Sequence, residues 1–457
     1  MIVKTIQQVA EMMGAPYELS HKDIVIQGVS IDSRKIEKGN LFVPLKGDHT
    51  DGHRYVETAF QNGAAASLWQ KDVPNPPEHF PIIMVDDTLE ALQRLAKAYR
   101  DELSIKVVGV TGSNGKTTTK DIISSLLSSR YRVQKTEGNY NNHIGLPLTL
   151  LSLKQDTEAA ILEMGMSSKG EIDFLTRMAR PDIAVITNIG EAHLLDLGSR
   201  EAIAEAKFEI INGLDKNGVL VYHGDEPLLE RLVQNTPHLT VKTFGESAKN
   251  DLYPTKIRQT NEGSRFSINT EPEREFFLSV LGKHNVFNAL AAILVARELG
   301  ISYDEIEDGL KKIELTKMRL ELVEGSKGEK IINDAYNASP TSVRAAIDLV
   351  SELQGYERKI LVLGDMLELG PKEKQYHEEI GKEINPHAID YVFTIGALGQ
   401  YIAKGAKTVL PEHRVFAFME KEKLVEKLKS LLTGNELILV KASRGMKLEE
   451  VVHLLQA

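Results

Sequence analysis

The sequence predicts an α/β protein of three domains: a small α/β N-terminal domain, a central domain whose mostly parallel sheet has helices on both faces, and a Rossmann-like doubly wound C-terminal domain. Length is the first observation, because 457 residues correspond to roughly three domains of average size. The second is the alternation of short β-branched runs with helical patterns, which indicates βαβ units. The third is a polar segment at 248–280 that interrupts this alternation.

The N-terminal domain is expected to begin with a short helix. Apolar residues recur at helical spacing from Ile6 to Met13, with Thr5 as the cap and Gly14 as the end. Short strands and turns follow, and the proline-rich segment 74–81 is expected to be a surface loop. A helix over 89–99 then leads out of the domain.

The central domain is expected to contain a buried strand over 105–110, a glycine-rich turn and a helix. Further buried strands are predicted at 160–162, 183–187 and 219–222. The polar segment 248–280 resembles a β-hairpin insert that turns at Asn261-Glu262-Gly263. A helix over 285–299, ending at Gly300, restores the alternation.

The C-terminal domain alternates in the same way. Ser339 is placed to cap one of its helices, and Pro340 occupies that helix's first position. Its strands are predicted at 330–333, 359–363, 391–395 and 437–440. His377 is expected on the surface of a helix. Lys441 follows the last strand, where substrate contact and a solvated loop are equally open. We therefore expect three domains that span residues 1–100, 101–313 and 314–457.

Composition excludes several classes of function. The net charge of −10 argues against a general nucleic-acid binder, whose surface is basic. The absence of cysteine removes disulfides, thiolate metal sites and a cysteine nucleophile. Lys4, Gln7 and Glu11 interrupt the N-terminal apolar pattern, so we expect neither a signal peptide nor membrane insertion. A cytoplasmic monomer is the expectation.

A glycine-rich turn connects the strand at 105–110 to a helix that begins with Lys116 and Thr117. Glycines let backbone N–H groups face phosphate oxygens, and the helix N-terminus adds partial positive charge. Lys116 is placed to reach the β- and γ-phosphates of ATP, and the Thr117 hydroxyl to bind Mg²⁺. The first glycine of the usual pattern is replaced by Val110, and an ordinary βα turn is the alternative. The predicted phosphate-binding residues are Thr111, Gly112, Ser113, Asn114, Gly115, Lys116, Thr117 and Thr118.

Other polar residues follow strands or lie on helices of the central domain. Glu163 follows an apolar strand, and a carboxylate at that sheet edge suits Mg²⁺, which takes oxygen ligands. His193 follows the next strand. A histidine there can contact a metal or a phosphate, or it can have a structural role, and the sequence leaves both alternatives equally open. Judged by its residue type alone, Lys207 is expected to be a surface lysine. Asn285 and Asn288 share a helix face, where amides either bind a base edge or cap the helix.

Taken together, these motifs resemble those of the Mur ligases, which build the peptidoglycan precursor in the bacterial cytoplasm. The resemblance covers nearly the whole chain and rests on 111–117, Glu163, His193, Lys207, 282–285 with Asn288, and 319–321. Other segments resemble the branch that adds D-alanyl-D-alanine to UDP-N-acetylmuramoyl-tripeptide, namely 138–151, 163–166, 170–172, 333–340 and 363–370.

The resemblance implies roles for the matching residues. The implied catalytic and metal-binding residues are Lys116 at the ATP phosphates, Thr117 and Glu163 at one Mg²⁺, and His193 and a carbamylated Lys207 at a second. The other implied ATP contacts are Asn285 and Asn288 at the adenine, Arg319 at the phosphates and Asp334 at the ribose. The implied substrate contacts are Ser30, Asp32, Ser33, Arg34, Lys46, Asn141, Asn142, Tyr336, Asn337, Ser443 and Arg444. Met318 departs from the family's usual glycine before the arginine.

The activity that the resemblance implies is ATP-dependent amide ligation through an acyl phosphate. One alternative within the family is the ligase that adds the third amino acid, diaminopimelate or lysine. That ligase usually has an Asp-Tyr-Ala-His-type motif where this chain has Asp334-Ala-Tyr-Asn337. A phosphate-loop ATPase switch is a second alternative, although the sequence lacks the Asn-Lys-x-Asp motif of such proteins. A non-catalytic nucleotide-sugar binding module is a third.

Overall fold

The structure is a computed structural model that describes residues 1–47 and 50–457. Its N-terminal domain contains β1 (Val3–Thr5), α1 (Ile6–Met13), β2 (Val25–Gln27), β3 (Val29–Ser30), β4 (Leu41–Phe42), α2 (Val56–Gln61), β5 (Ala66–Gln70), β6 (Ile82–Val85) and α3 (Thr88–Glu102). Strands β3 to β6 form a parallel sheet in sequential order, and β1 pairs with β2 in antiparallel orientation.

The local signals at the start of the chain form the predicted helix. Thr5 and Gln8 make a reciprocal capping box at the beginning of α1, and Gly14 ends the helix in the left-handed conformation. The apolar side of α1 is buried. The proline-rich segment 74–81 contains no helix or strand, as expected.

The central domain contains β7 (Lys106–Thr111), α4 (Lys116–Leu127), β8 (Val133–Lys135), α5 (Gly145–Ser152), β9 (Ala159–Glu163), α6 (Glu171–Ala179), β10 (Ile183–Ile186), α7 (Leu194–Leu197), α8 (Arg200–Phe208), β11 (Val219–His223), α9 (Pro227–Gln234), β12 (Thr240–Phe244), β13 (Pro254–Thr260), β14 (Gly263–Ile268), β15 (Glu271–Leu278), α10 (Lys283–Glu298) and α11 (Tyr303–Leu310). Its six-stranded sheet is parallel, with the order β12-β11-β10-β7-β9-β8. Because β7, β9 and β10 are adjacent, the residues that follow them meet at one edge.

Two features of the central domain differ from the expectation. The polar insert is a three-stranded antiparallel sheet rather than a hairpin, because β15 adds a third strand. Its buried Phe276 and Leu278 alternate with more exposed residues, which is the pattern of a strand with one covered face. The short outer strands β8 and β12 were also not predicted.

The C-terminal domain contains β16 (Glu321–Glu324), β17 (Lys330–Asp334), α12 (Pro340–Glu352), β18 (Arg358–Gly364), α13 (Glu373–Lys382), β19 (Tyr391–Ile395), α14 (Gly399–Ala406), β20 (Val415–Phe418), α15 (Lys421–Lys429), β21 (Glu436–Lys441) and α16 (Glu449–Gln456). The sheet order is β16-β17-β21-β18-β19-β20, and only β16 is antiparallel to its neighbour. Apolar clusters cover both faces of this sheet, which gives the doubly wound architecture predicted.

One interpretation of a C-terminal residue was wrong. His377 was expected on the surface of a helix, but it is fully buried in α13. Its Nε2 accepts a hydrogen bond from Met366 N at 2.8 Å, and its Nδ1 lies 2.6 Å from the carbonyl of Glu373. The imidazole therefore ties the loop after β18 to α13.

No helix among the residues with described structure is both long and apolar enough to cross a membrane.

Candidate active site

A polar cleft of about 380 Å³ lies between the central and C-terminal domains. It lies at the carboxyl ends of the parallel strands of both sheets, which is where open α/β sheets bind ligands. The predicted site residues that line it are Ser113, Asn114, Gly115, Lys116, Thr117, Thr118, Asn141, Asn142, Glu163, His193, Asn285, Asn288, Arg319, Asp334, Tyr336 and Asn337.

The loop between β7 and α4 has the backbone conformation of a phosphate cradle. Gly112 has φ 149°, and a Cβ there would lie 1.8 Å from Thr187 Oγ1. Gly115 has φ 81°, and a Cβ there would lie 2.5 Å from Asn288 Oδ1. Both positions therefore require glycine. Asn188, at the end of the neighbouring strand, accepts a hydrogen bond from Asn114 N at 2.9 Å and fixes the tip of the loop.

Thr117 and Glu163 meet at the floor of the cleft. The Thr117 hydroxyl donates to Glu163 Oε2 at 2.8 Å, and Asn141 Nδ2 donates to Glu163 Oε1 at 2.9 Å. The Glu163 carboxylate is 2 % exposed. These side chains offer hard oxygen donors next to a phosphate-type loop, which is the donor chemistry that suits Mg²⁺. The residues present therefore fit that ion.

Three basic side chains lie near one another in the site, and Lys116 is the one that interacts with Glu163. Burial lowers the pKa of Lys116, while Glu163 opposes the shift. Burial and the charge of Lys116 lower the pKa of Lys207 well below its usual range. Burial, Lys207 and Lys116 lower the pKa of His193 to about 4. This concentration of basic groups in a water-poor site favours an anionic ligand, whose negative charge would stabilise their protonated forms.

The C-terminal domain contributes the opposite wall of the cleft. Arg319 lies over the ring of Tyr336, and its buried Nε has no hydrogen-bond partner within the described chain. Asp334 pairs with Lys441 and accepts a hydrogen bond from Leu320 N at 3.2 Å. Arg319 lines the cleft, and a guanidinium is of the type that binds phosphate oxygens.

Several predicted site residues lie outside the lining of the cleft. Thr111 and Gly112 support the loop from beneath, and the Thr111 hydroxyl donates to Met164 O at 2.9 Å. Lys207 is 1 % exposed in α8, so the surface position expected from its residue type alone is wrong. Ser443 is buried, and its hydroxyl accepts a hydrogen bond from Leu367 N at 2.9 Å. Arg444 pairs with Glu449 on the surface.

The predicted residues of the N-terminal domain form a separate group. Asp32 accepts hydrogen bonds from the backbone and side chain of Arg34, which lower the pKa of Asp32 to about 2. Ser30 donates to the carbonyl of Asp32 at 3.1 Å, and Lys46 pairs with Asp72 at 2.9 Å. Ser33 is buried at the start of the same turn. Gln93 of α3 donates to His143 O at 3.0 Å, beside the cleft residues Asn141 and Asn142.

Sequence reasoning missed several residues of the cleft. They are Gly165, Met166, Ser167, Glu171, Asn188, His284, Leu320, Thr341, Ser342, Ala345 and Ala346. Lys441 also lines the cleft, and its position at the end of β21 indicated substrate contact as one of two alternatives. Residues of α12 carry no such signal, since their contact with the cleft depends on how the two domains meet. The fold and the cleft together define a three-domain α/β protein with a phosphate-binding loop at the cleft between its central and C-terminal domains.

The chain belongs to the Mur ligase family. The Mur ligase middle domain matches residues 110–296, the Mur ligase glutamate ligase domain matches 318–444, and the Mur ligase family catalytic domain matches 25–100. One relative is the UDP-N-acetylmuramoyl-tripeptide--D-alanyl-D-alanine ligase of Bacillus subtilis. It is 55% identical over 453 residues, which cover 99% of this chain and 98% of the relative.

Solved structures are similar over the same length. The crystal structure of MurF from Acinetobacter baumannii superimposes with a TM-score of 0.89 at 30% identity, covering 100% of this chain and 99% of the other. MurF ligase from Thermotoga maritima in complex with ADP superimposes with a TM-score of 0.82 at 30% identity, covering 94% of this chain and 97% of the other. The three-domain α/β fold predicted from the sequence is thereby confirmed, and the chain is an ATP-dependent amide ligase.

Proposed function

We propose that this chain joins D-alanyl-D-alanine to UDP-N-acetylmuramoyl-tripeptide at the expense of ATP. The observation that carries the choice of substrates is the 55% identity, over nearly the full length of both chains, to the Bacillus subtilis ligase with that printed activity. The reaction belongs to the cytoplasmic part of peptidoglycan precursor synthesis. We assign it to a monomer whose domains span residues 1–100, 101–313 and 314–457.

The ATP site follows from the two walls of the cleft. The loop amides and Lys116 hold the β- and γ-phosphates, and Arg319 approaches them from the C-terminal domain. Asp334 holds the ribose. Asn285 and Asn288 lie at the adenine end, where Asn288 donates to Asn285 Oδ1 at 2.8 Å and also packs against Gly115. The ADP complex of the Thermotoga maritima relative supports nucleotide binding in this fold.

Mg²⁺ is assigned to Thr117 and Glu163, with His193 and a carbamylated Lys207 directed toward a second ion. When bound, Mg²⁺ neutralises the negative charge of the phosphoryl group being transferred. The lowered pKa of Lys207 favours its unprotonated amine. An unprotonated amine is the form that combines with CO₂ to give a carbamate, so the buried position of Lys207 supports this assignment.

The chemistry requires no nucleophile from the protein. The tripeptide carboxylate attacks the γ-phosphorus of ATP, which gives an acyl phosphate and releases ADP. The amine of D-alanyl-D-alanine then attacks the acyl carbonyl, the C–N bond forms, and phosphate leaves. An α-amino group has a pKa of about 8, so enough free amine is present near neutral pH without a strong base. The walls of the cleft protect the acyl phosphate from water.

The two substrates are assigned to different parts of the chain. Ser30, Asp32, Ser33, Arg34 and Lys46 bind the UDP-sugar in the N-terminal domain. Asn141 and Asn142 continue the path to the cleft. Tyr336, Asn337 and Arg444 bind from the C-terminal domain. Ser443 is buried and accepts a hydrogen bond from Leu367 N, so it contributes by supporting the neighbouring loop.

A substrate grid with the purified protein tests the proposal. Product formation and phosphate release are measured with UDP-N-acetylmuramoyl-tripeptide plus D-alanyl-D-alanine, using tripeptides that end in diaminopimelate or in lysine. The same measurements use UDP-N-acetylmuramoyl-dipeptide plus diaminopimelate or lysine. We expect turnover only with a tripeptide and D-alanyl-D-alanine together. Turnover with dipeptide would assign the sister activity, and phosphate release without either substrate would indicate an ATPase switch.

A further inference from the structure

A loop of the C-terminal domain, Asp365–Gly370, docks on the segment His193–Leu197 of the central domain. Leu195 N donates a hydrogen bond to the carbonyl of Glu368 at 3.2 Å. The Leu195 side chain also covers Gly370, where a Cβ would lie 3.6 Å from Leu195 Cα. The docking therefore joins the domain that carries Glu368 to the one that carries His193.

The two residues at the centre of this contact both have unusual backbone conformations. His193 has φ 66° and Glu368 has φ 64°, and neither is glycine. A non-glycine residue in this region costs of order 1 kcal/mol or more and persists where its surroundings hold it, which is common at functional sites. His193 Nδ1 lies 3.1 Å from Glu368 Oε2. The angle is poor for a hydrogen bond, so Nδ1 has no partner among residues 1–47 and 50–457.

The docking loop is held rigidly within its own domain. His377 accepts from Met366 N, and Ser443 accepts from Leu367 N while its own N–H donates to the carbonyl of Asp365 at 3.0 Å. The two residues before Glu368 thus have their amides fixed by buried side chains. Glu368 is presented to His193 on a fixed support, and its side chain is 57% exposed apart from this contact.

We propose that Glu368 is a positioning residue that acts through His193 when the C-terminal domain closes. The carboxylate can only accept a hydrogen bond, so once closure aligns it with Nδ1 it selects the imidazole tautomer with the proton on that nitrogen. That tautomer leaves the lone pair of Nε2 available to the cleft that His193 lines. Closure of the C-terminal domain thereby completes the orientation of a residue of the central domain. The inference rests on the proposed function for its kinetic consequence only.

Kinetics of Glu368→Ala, His193→Ala and the double variant test whether Glu368 acts through His193. We expect Glu368→Ala to lower kcat roughly 10–100-fold, the usual effect of removing the partner of a functional histidine, with an unchanged KM for the UDP-linked substrate. Glu368→Gln, whose amide oxygen can still accept from Nδ1, should recover most of that loss. In the His193→Ala background, Glu368→Ala should cause no further loss. Additive losses would overturn the proposal, because a role in loop folding does not depend on His193.

A spectroscopic measurement is independent of turnover. Protein labelled with ¹⁵N-histidine is examined with a non-hydrolysable ATP analogue and Mg²⁺, and the His193 signals are identified by their loss in His193→Ala. We expect the Nδ1-protonated tautomer in the wild type and a changed tautomer population in Glu368→Ala. The control is Glu450→Ala, which removes a 2.7 Å pair with Lys421 inside the C-terminal domain. Unchanged His193 signals in Glu368→Ala would overturn the proposal even if the substrate grid had already excluded the ligase activity.

Discussion

At the scale of single residues, the proposed nucleotide chemistry depends most on Lys116. Replacing it with alanine removes the ammonium group that we assign to the β- and γ-phosphates, and we expect kcat to fall at least about 10²–10³-fold. The fold should survive, because burial already disfavours the charged lysine and the change removes that penalty. Steady-state kinetics and the thermal midpoint of Lys116→Ala check both parts.

Lys106→Ala is the matched control for that prediction. Lys106 begins the same strand β7 at its opposite end and pairs with Asp182 at 3.1 Å on the surface. It should retain nearly wild-type turnover. Normal activity in Lys116→Ala would remove the assignment of the phosphate loop, whereas a large drop in its thermal midpoint would show that the lysine supports the fold.

Gly112 tests whether the loop needs glycine for steric reasons. A Cβ at this position would meet Thr187 Oγ1 at 1.8 Å, and Thr187 belongs to the strand edge that supports the loop. We expect Gly112→Ala to displace the loop and to weaken binding of a non-hydrolysable ATP analogue at least about 10-fold, or about 1.4 kcal/mol. Calorimetric titration measures this.

Gly14→Ala separates the steric effect from the backbone effect. Gly14 also has positive φ, 68°, but a Cβ there would have no atom within 4 Å. It should lose about 1 kcal/mol of stability from its left-handed conformation and bind nucleotide normally. Equal affinities for Gly112→Ala and the wild type would mean that the loop accommodates the methyl group.

At the scale of secondary-structure elements, local signals predicted what local interactions determine. The helix α1 and the start of α12 were predicted correctly because Thr5, Gly14 and Ser339 make their caps with near neighbours in sequence. Strand β16 was missed, since Glu321–Glu324 is only four residues long, with two adjacent apolar residues between glutamates, and becomes a strand by pairing with β17. Burial of Lys207 and His377 likewise depends on packing between distant segments, which a residue's own neighbours do not specify.

The position of His377 gives the loop after β18 a dependence on pH. Burial lowers the pKa of His377, so the neutral form is present in the fold. Its contribution to stability is therefore complete above the unfolded pKa of about 6.5 and is lost as pH falls below that value, because the unfolded chain binds the proton. His377→Leu leaves Met366 N without its acceptor and should cost about 1–3 kcal/mol at neutral pH.

The difference in stability between the wild type and His377→Leu should become smaller in acid. Thermal unfolding of the wild type and of His377→Leu is compared near pH 8 and near pH 5.5, on either side of the unfolded pKa of about 6.5. Only the wild type contains this buried imidazole, so only the wild type should lose its contribution to stability as pH falls. The control His413→Leu changes an exposed histidine of the same domain and should alter neither value. A gap that stays constant or widens in acid would contradict the assignment of a neutral His377.

At the scale of the whole molecule, the cleft is bounded by polar contacts that can break and reform. On one side Thr341 donates to Glu191 at 2.6 Å, beside the contact of Glu368 with His193. On another side Lys283 pairs with Glu352 at 2.6 Å, and Asn261 donates to the carbonyl of Gln354 at 2.8 Å. Interfaces of this polar kind between domains permit relative motion.

The Lys283–Glu352 pair should set the balance between an open arrangement, with the C-terminal domain away from the central domain, and a closed one, and it should do so without contacting ATP. Both side chains are partly exposed, so the pair is worth up to about 1 kcal/mol and weakens with salt. Lys283→Ala should therefore shift the population toward the open form and raise the apparent Kd for a non-hydrolysable ATP analogue by up to about 5-fold, because the analogue selects the closed form. Distances between labels on the N- and C-terminal domains, measured by fluorescence energy transfer, should lengthen in parallel.

The control is Lys311→Ala, which removes a 2.8 Å pair with Glu307 inside the central domain and should change neither the apparent Kd nor the label distances. If Lys283→Ala weakens nucleotide binding equally at low and high salt, the pair acts through the shape of the cleft and not through closure.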